Sequence, residues 1–256
     1  MRTLAHHGRE TAYTVTEGET SSETVCFVHG SGGSHAVWRF QESLSDRYEI
    51  VALDLSGHGE SDDIQANSGY TALSAYADDV LAVVEETDST ALVGNSLGGA
   101  VVLHILLERS FEAEAAILTG TGARMGVLDD LLAWLKSDFE RAVEFLHEPN
   151  RIFHDPDPEL LAASRERMLE CGQAVTYRDF LTCHRFDVRN ELHRVEVPTL
   201  TVYGEYDQLT PPWYHEYLAD EIPNGAIVEI QQAAHFPMVE QPDAFNKTIA
   251  EFLESR

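Results

Sequence analysis

Lysine is almost absent from this chain. Lys136 and Lys247 are the only two in 256 residues, and 17 Lys and Arg together face 44 Asp and Glu, for a formal net charge of −27. A phosphate backbone or an anionic bilayer needs clustered cations, so neither nucleic acid nor membrane is expected as a partner. The acids are not gathered in a tail of the protein-binding kind. They are spread along the chain, as in Asp62-Asp63, Asp78-Asp79, Glu85-Glu86 and Asp129-Asp130. Such a surface repels itself at low ionic strength and relaxes when salt screens it, which predicts a halophile's protein working in a salty cytoplasm. Cysteine is scarce too. Cys26, Cys171 and Cys183 are odd in number and far apart, which excludes a disulfide framework and fits a reducing cytoplasm. Cys26 sits in an apolar run and reads as a small core residue. No run of about eighteen apolar residues occurs, so no membrane span is expected. The N-terminus, Met1 to Gly8, lacks the apolar stretch of a secretion signal. Neither H-E-x-x-H nor C-x-x-C spacing is present, so no metal and no cofactor are expected. Repeats and low-complexity linkers are missing as well.

What remains is ample for one large domain, or a core with an insert: 43% of residues are apolar. The most informative stretch is Leu92-Val93-Gly94-Asn95-Ser96-Leu97-Gly98-Gly99. It reads as a strand that turns straight into a helix with a serine at the corner. A corner this sharp strains the serine backbone, and a side chain two residues to either side would collide across it. Gly94 and Gly98 remove those collisions. The hydroxyl is then held at a helix N-terminus, where free N–H groups stabilise developing negative charge. This is the pattern of a G-x-S-x-G nucleophile elbow.

Around it, apolar strands alternate with helices, the mark of an α/β protein with a parallel sheet covered on both faces. Strands are expected over 9–16 (antiparallel, at an edge), 24–28, 48–53, 90–93 (leading into the elbow), 115–119, 198–204 and 226–230, and helices over 34–45, 70–86, 99–107, 212–219 and 242–253. A turn is expected over 18–22. From 122 to 195 the rhythm breaks into amphipathic helical sequence without strand signals. The expected organisation is therefore a core of 1–121 and 196–256 with a helical cap, or lid, over 122–195.

A serine hydroxyl needs a histidine base and an acid that orients it, and in open parallel sheets these lie on loops past strand ends. Asp207 follows the strand ending at Gly204, and His235 follows the strand ending at Ile230. The order Ser, Asp, His suits this elbow. Glu205 is the rival acid. The oxyanion hole should combine the N–H of Leu97 with one from the loop His29-Gly30-Ser31-Gly32-Gly33-Ser34, for which Ser31 is chosen and Gly32 is the fallback. His29 has a plainer use, pinning that loop by hydrogen bonds.

These segments resemble the α/β-hydrolase superfamily over nearly the full chain. The resemblance is carried by His29-Gly30, Asp54-Leu55-Ser56-Gly57-His58-Gly59-Glu60-Ser61, Gly94 to Gly99, Tyr203-Gly204-Glu205-Tyr206-Asp207 and Ala234 to Pro242. Most similar are its serine esterases, C–C bond hydrolases and cofactor-free perhydrolases. The resemblance implies an α/β-hydrolase fold with a mostly parallel eight-stranded sheet, and a structural turn at Gly57-His58-Gly59. Many relatives carry His where Asn95 stands. Dehalogenases and epoxide hydrolases of this fold use an aspartate at the elbow, and Ser96 argues against both.

The expected reaction is cleavage of a small or medium carboxylic ester through an acyl-serine intermediate. C–C cleavage of a carboxylated metabolite and peracid formation are the rival chemistries. A small-molecule receptor with a vestigial triad is the non-enzyme reading. Substrate contacts are expected from Gly30, Trp38 and Phe186, with Trp134, Phe139, Phe145 and Phe180 of the lid as further candidates, and from Arg124, which either binds a substrate carboxylate or pairs with Asp187. His184 carries the same ambiguity.

Overall fold

A computed structural model describes residues 1–18 and 23–256. In chain order its elements are β1 (Arg2–His6), β2 (Arg9–Thr16), β3 (Thr24–Val28), β4 (Glu49–Leu53), α1 (Tyr70–Thr87), β5 (Ala91–Asn95), α2 (Leu97–Glu108) and β6 (Ala115–Thr119). Four helices follow: α3 (Asp129–Ser137), α4 (Phe139–Leu146), α5 (Pro158–Cys171) and α6 (Gln173–Arg185). The chain then closes with β7 (Thr199–Gly204), α7 (Pro212–Glu221), β8 (Gly225–Ile230), α8 (Pro237–Glu240) and α9 (Pro242–Ser255).

The strands form the expected eight-stranded sheet, in the order β1-β2-β4-β3-β5-β6-β7-β8. β1 to β2 and β2 to β4 are antiparallel; every other pairing is parallel. The central strands β3, β5 and β6 are buried almost throughout, which is why they read as unbroken apolar runs rather than alternating ones. α2 is likewise apolar on nearly every face, because it is enclosed on all sides. None of the helices described is long and apolar enough to cross a membrane.

Two local expectations differ from the structure. β2 is not an edge strand, since β1 pairs along its far side from Arg2↔Tyr13 to His6↔Arg9. β1 was missed because Arg-Thr-Leu-Ala-His is short, largely exposed and poor in β-branched residues. The segment 34–45 is helical as expected, but as two 3₁₀ pieces, His35–Trp38 and Gln41–Asp46, rather than one continuous helix. Tertiary bonds outbid the α-helical ladder there: the His35 N–H donates to Asp54 Oδ1 at 2.7 Å, and Gln41 Nε2 donates to Met238 O and Asn246 Oδ1 at 3.0 and 2.9 Å. The turn expected over 18–22 lies outside the described residues from position 19 on.

Helices α3 to α6 are inserted between β6 and β7, and buried polar contacts seat them on the sheet layer. His58 Nε2 donates to Asp179 Oδ2 at 2.9 Å, and the Tyr76 hydroxyl donates to Asp179 Oδ1 at 2.6 Å. Beside them Arg178 donates to the Tyr76 hydroxyl and to the Ser56 carbonyl, and pairs with Asp63 at 2.7 Å. Burial alone would lower the His58 pKa, but the Asp179 carboxylate overrides it and raises it well above 6.5. His58 and Tyr76 belong to the segments around the sheet, Asp179 and Arg178 to α6. The turn at Gly57-His58-Gly59 therefore anchors the inserted helices.

Candidate active site

Ser96 occupies the single residue between β5 and α2, with φ 54° and ψ −114°. This left-handed backbone is strained for any residue with a side chain, and its surroundings over-determine it. The Ser96 N–H donates to Thr119 O, and the Thr121 hydroxyl donates to Ser96 O, both at 2.9 Å. The flanking glycines are obligatory. A Cβ on Gly94 would lie 2.4 Å from the Gly98 carbonyl oxygen, and one on Gly98 would lie 2.2 Å from that of Val28.

Past β7 the chain turns at Asp207, which is buried and fully engaged. Its Oδ1 accepts the N–H groups of Leu209 and Thr210 at 2.8 and 2.9 Å, and its Oδ2 accepts the Thr210 hydroxyl at 2.7 Å. Oδ2 also lies 2.8 Å from His235 Nδ1. Burial pushes the Asp207 pKa up, but His235 and Thr210 outweigh it and hold the carboxyl below the usual carboxylate range. Glu205, the rival acid, is turned elsewhere and accepts the Gln232 N–H at 3.1 Å. His235 is fixed by its backbone as well: its N–H donates to Arg151 O, and its carbonyl accepts Asn95 Nδ2 at 3.3 Å.

Ser96 and His235 line one cavity of ≈ 390 Å³. Its apolar wall includes Met125, Leu131, Phe145, Leu146 and Phe180, mostly from the inserted helices. Gly30 and Ser31 form part of the cavity wall, Gly30 directly against Ser96, while Leu97 heads α2 directly after it. The loop carrying Gly30 is pinned by His29, which is bonded at both ring nitrogens. Nε2 accepts the Leu55 N–H at 3.0 Å, which leaves Nδ1 protonated toward Gly30 O at 2.7 Å. Burial first, and His58 second, push His29 down to about 4. It is a neutral strut.

Five residues expected at the substrate do not line the cavity: Trp134, Phe139, Trp38, Phe186 and Arg124. Trp38 is buried against Phe27 and Phe245 in the core, because its 3₁₀ turn faces the sheet. Phe186 follows the end of α6 and packs among core residues and along the cleft beside Tyr70 and His104. Arg124 lies in an outer recess with Arg189 and Trp213, paired with Asp187 at 3.9 Å. That pairing is the alternative the sequence left open for it. Conversely, Met168, Arg151, Thr210 and Tyr214 line the cavity without having been singled out. Thr210 had a readable signal, since Asp-x-x-Thr is the spacing at which a side chain caps its own turn. Among the described residues no group of three or more His, Cys, Asp or Glu is placed to hold a metal.

Comparison with known proteins agrees with this architecture. Residues 27–248 match the model of the alpha/beta hydrolase family. The chain is 27% identical over 247 residues to a pimeloyl-[acyl-carrier protein] methyl ester esterase of Neisseria meningitidis, covering 90% of this chain and 93% of that one. A solved thermophilic esterase is 31% identical with a TM-score of 0.87, covering 99% of this chain and 96% of that chain. An enol-lactonase from Burkholderia xenovorans shares the fold, with a TM-score of 0.89 at 23% identity over 99% of this chain and 100% of its own. Sheet order, elbow and these matches together establish that the chain belongs to the alpha/beta hydrolase family and is a hydrolytic enzyme.

Proposed function

We propose that this enzyme is a serine hydrolase of small or medium carboxylic esters, with Ser96, His235 and Asp207 as its triad. One observation carries the reading. A serine on a strained elbow shares a largely apolar cavity with a histidine whose far nitrogen is held 2.8 Å from a buried, ionised aspartate.

The chemistry follows from that geometry. Asp207 accepts the hydrogen bond of His235 Nδ1–H, which leaves Nε2 of His235 as the base. Nε2 accepts the Ser96 proton as Oγ attacks the ester carbon. The oxyanion forms against the N–H groups of Leu97 and Ser31. His235 then returns the proton to the departing alcohol, leaving an acyl-serine. Water attacks this ester with His235 again as base, and Ser96 is restored as the acid leaves. The inserted helices over 122–195 act as a lid that keeps the acyl chain dry, and the apolar walls select its length. The acidic surface is read as an adaptation to a salty cytoplasm.

Hydrolysis of p-nitrophenyl esters of increasing acyl length, at low and at multimolar KCl, tests this reading. Turnover is expected for the wild type, greatest at a short or medium chain, lost in Ser96→Ala, and sustained or raised in high salt. A folded wild type no better than Ser96→Ala on every ester would end the esterase assignment. Turnover that collapses in KCl would end the high-salt one.

A further inference from the structure

The cavity at Ser96 shares a wall with a second chamber. Ser31, Ile152, Met168 and Phe236 line both the cavity and a chamber of ≈ 140 Å³ beneath α5. Three of these four are held in place. Ser31 belongs to the loop pinned by His29, and the Phe236 N–H donates to Ile152 O at 3.2 Å, tying those two strips of backbone together. Met168 alone is an unbranched side chain with freedom to swing. It is the only buried residue of α5, and it lies against the same loop: a Cβ on Gly32 would come within 3.0 Å of Met168 Cγ. Val37, Phe153, Leu160 and Val239 give the chamber mainly apolar walls, and the exposed Arg39 and Arg167 carry it to the surface.

We propose that this chamber is a second acyl subsite, and that Met168 is the movable partition between it and the cavity. The ligand is a medium-length unbranched acyl chain, longer than the first cavity alone holds. An acyl group bound to Ser96 fills the first cavity, and its far end passes Met168 into the chamber under α5. The inference rests on the esterase reading above. Apolar walls accept methylenes and offer nothing to a polar leaving group. The departing alcohol takes its proton from His235 and needs only a path to water, whereas the acyl chain stays bound through both chemical steps and benefits from a dry channel. Met168 thereby sets how chain length is selected.

The test is the ratio of kcat/KM for p-nitrophenyl laurate over p-nitrophenyl butyrate, in wild type and two variants. Met168→Ala opens the partition and is expected to raise the ratio about tenfold. Ala163→Phe, at an exposed position of α5 whose side chain enters the chamber wall, fills the space and is expected to lower it about tenfold. The opposite signs cannot both come from loss of folding, and Ala163→Phe removes no core packing. A ratio within twofold of wild type in both variants, or a rise in Ala163→Phe, overturns the subsite while leaving the esterase reading intact. If no protein of the three hydrolyses either ester, the esterase reading fails and the subsite with it.

Discussion

Ser96→Ala and His235→Ala are each expected to lower kcat on p-nitrophenyl butyrate by about a million-fold, and the double variant by no more than either alone. The argument is that the two side chains act as one unit. Without Ser96 there is no oxygen to attack. Without His235 the hydroxyl keeps its proton at neutral pH, and the leaving alcohol finds no acid. The remaining N–H donors and cavity still bind the ester, so a small residual rate is expected. Asp207→Asn is expected to cost about ten-thousand-fold, because an amide in place of the carboxylate favours the wrong imidazole tautomer. Asp207 also accepts two backbone N–H groups and the Thr210 hydroxyl, so its replacement disturbs the turn as well. Steady-state kinetics, with circular dichroism to verify folding, checks all four proteins. Multiplying losses in the double variant would mean that Ser96 and His235 do not serve one step.

The second large effect is on stability. Asp179→Ala is expected to destabilise the protein by about 3–5 kcal/mol, the typical result of removing one member of a buried ion pair. It strands a buried imidazolium at His58 and leaves the Tyr76 hydroxyl without its acceptor. At this chain length each kcal/mol is worth about 2–4 °C in Tm, so thermal melting should shift by roughly 10 °C. The pH dependence has a definite sign. His58 binds its proton more tightly folded than unfolded, so the pair's stabilisation is complete below about 6.5 and fades as pH rises through the raised folded value. Wild-type Tm is therefore expected to decline on the alkaline side, with a flatter profile in Asp179→Ala. Equal melting temperatures for the two proteins would show that His58 and Asp179 do not hold the inserted helices in place.

Residues whose neighbours in space are also neighbours in sequence were legible from the chain alone. The elbow at Ser96 is set by glycines two positions away. Asp207 and His235 each sit a few residues past an apolar strand, and in a parallel sheet such loops gather at one end. The structure brings Asp207 and His235 into contact and puts Ser96 in the same cavity as His235. What failed depended on which way an element faces. Trp38 and Phe186 are large aromatics close in sequence to the site loops, but each lies on a face turned to the core. Arg124 leaves β6 near the cavity, yet its pairing with Asp187 draws the side chain to the outer recess. Nor could periodicity give Asp179 its partner. A lone acid on an amphipathic helix reads as a solvated face, and only the fold brings His58, 121 residues away, against it.

The central claim is that Ser96 forms the covalent intermediate, and the most direct measurement is which residue is modified. An alkyl fluorophosphonate mimics the tetrahedral adduct and leaves a stable bond to an activated serine. After treatment and digestion, mass spectrometry is expected to find a single adduct on the peptide carrying Ser96, absent in Ser96→Ala and formed far more slowly in His235→Ala. An enzyme that hydrolyses esters with Ser96 unmodified, or with the adduct on another residue, would contradict the account.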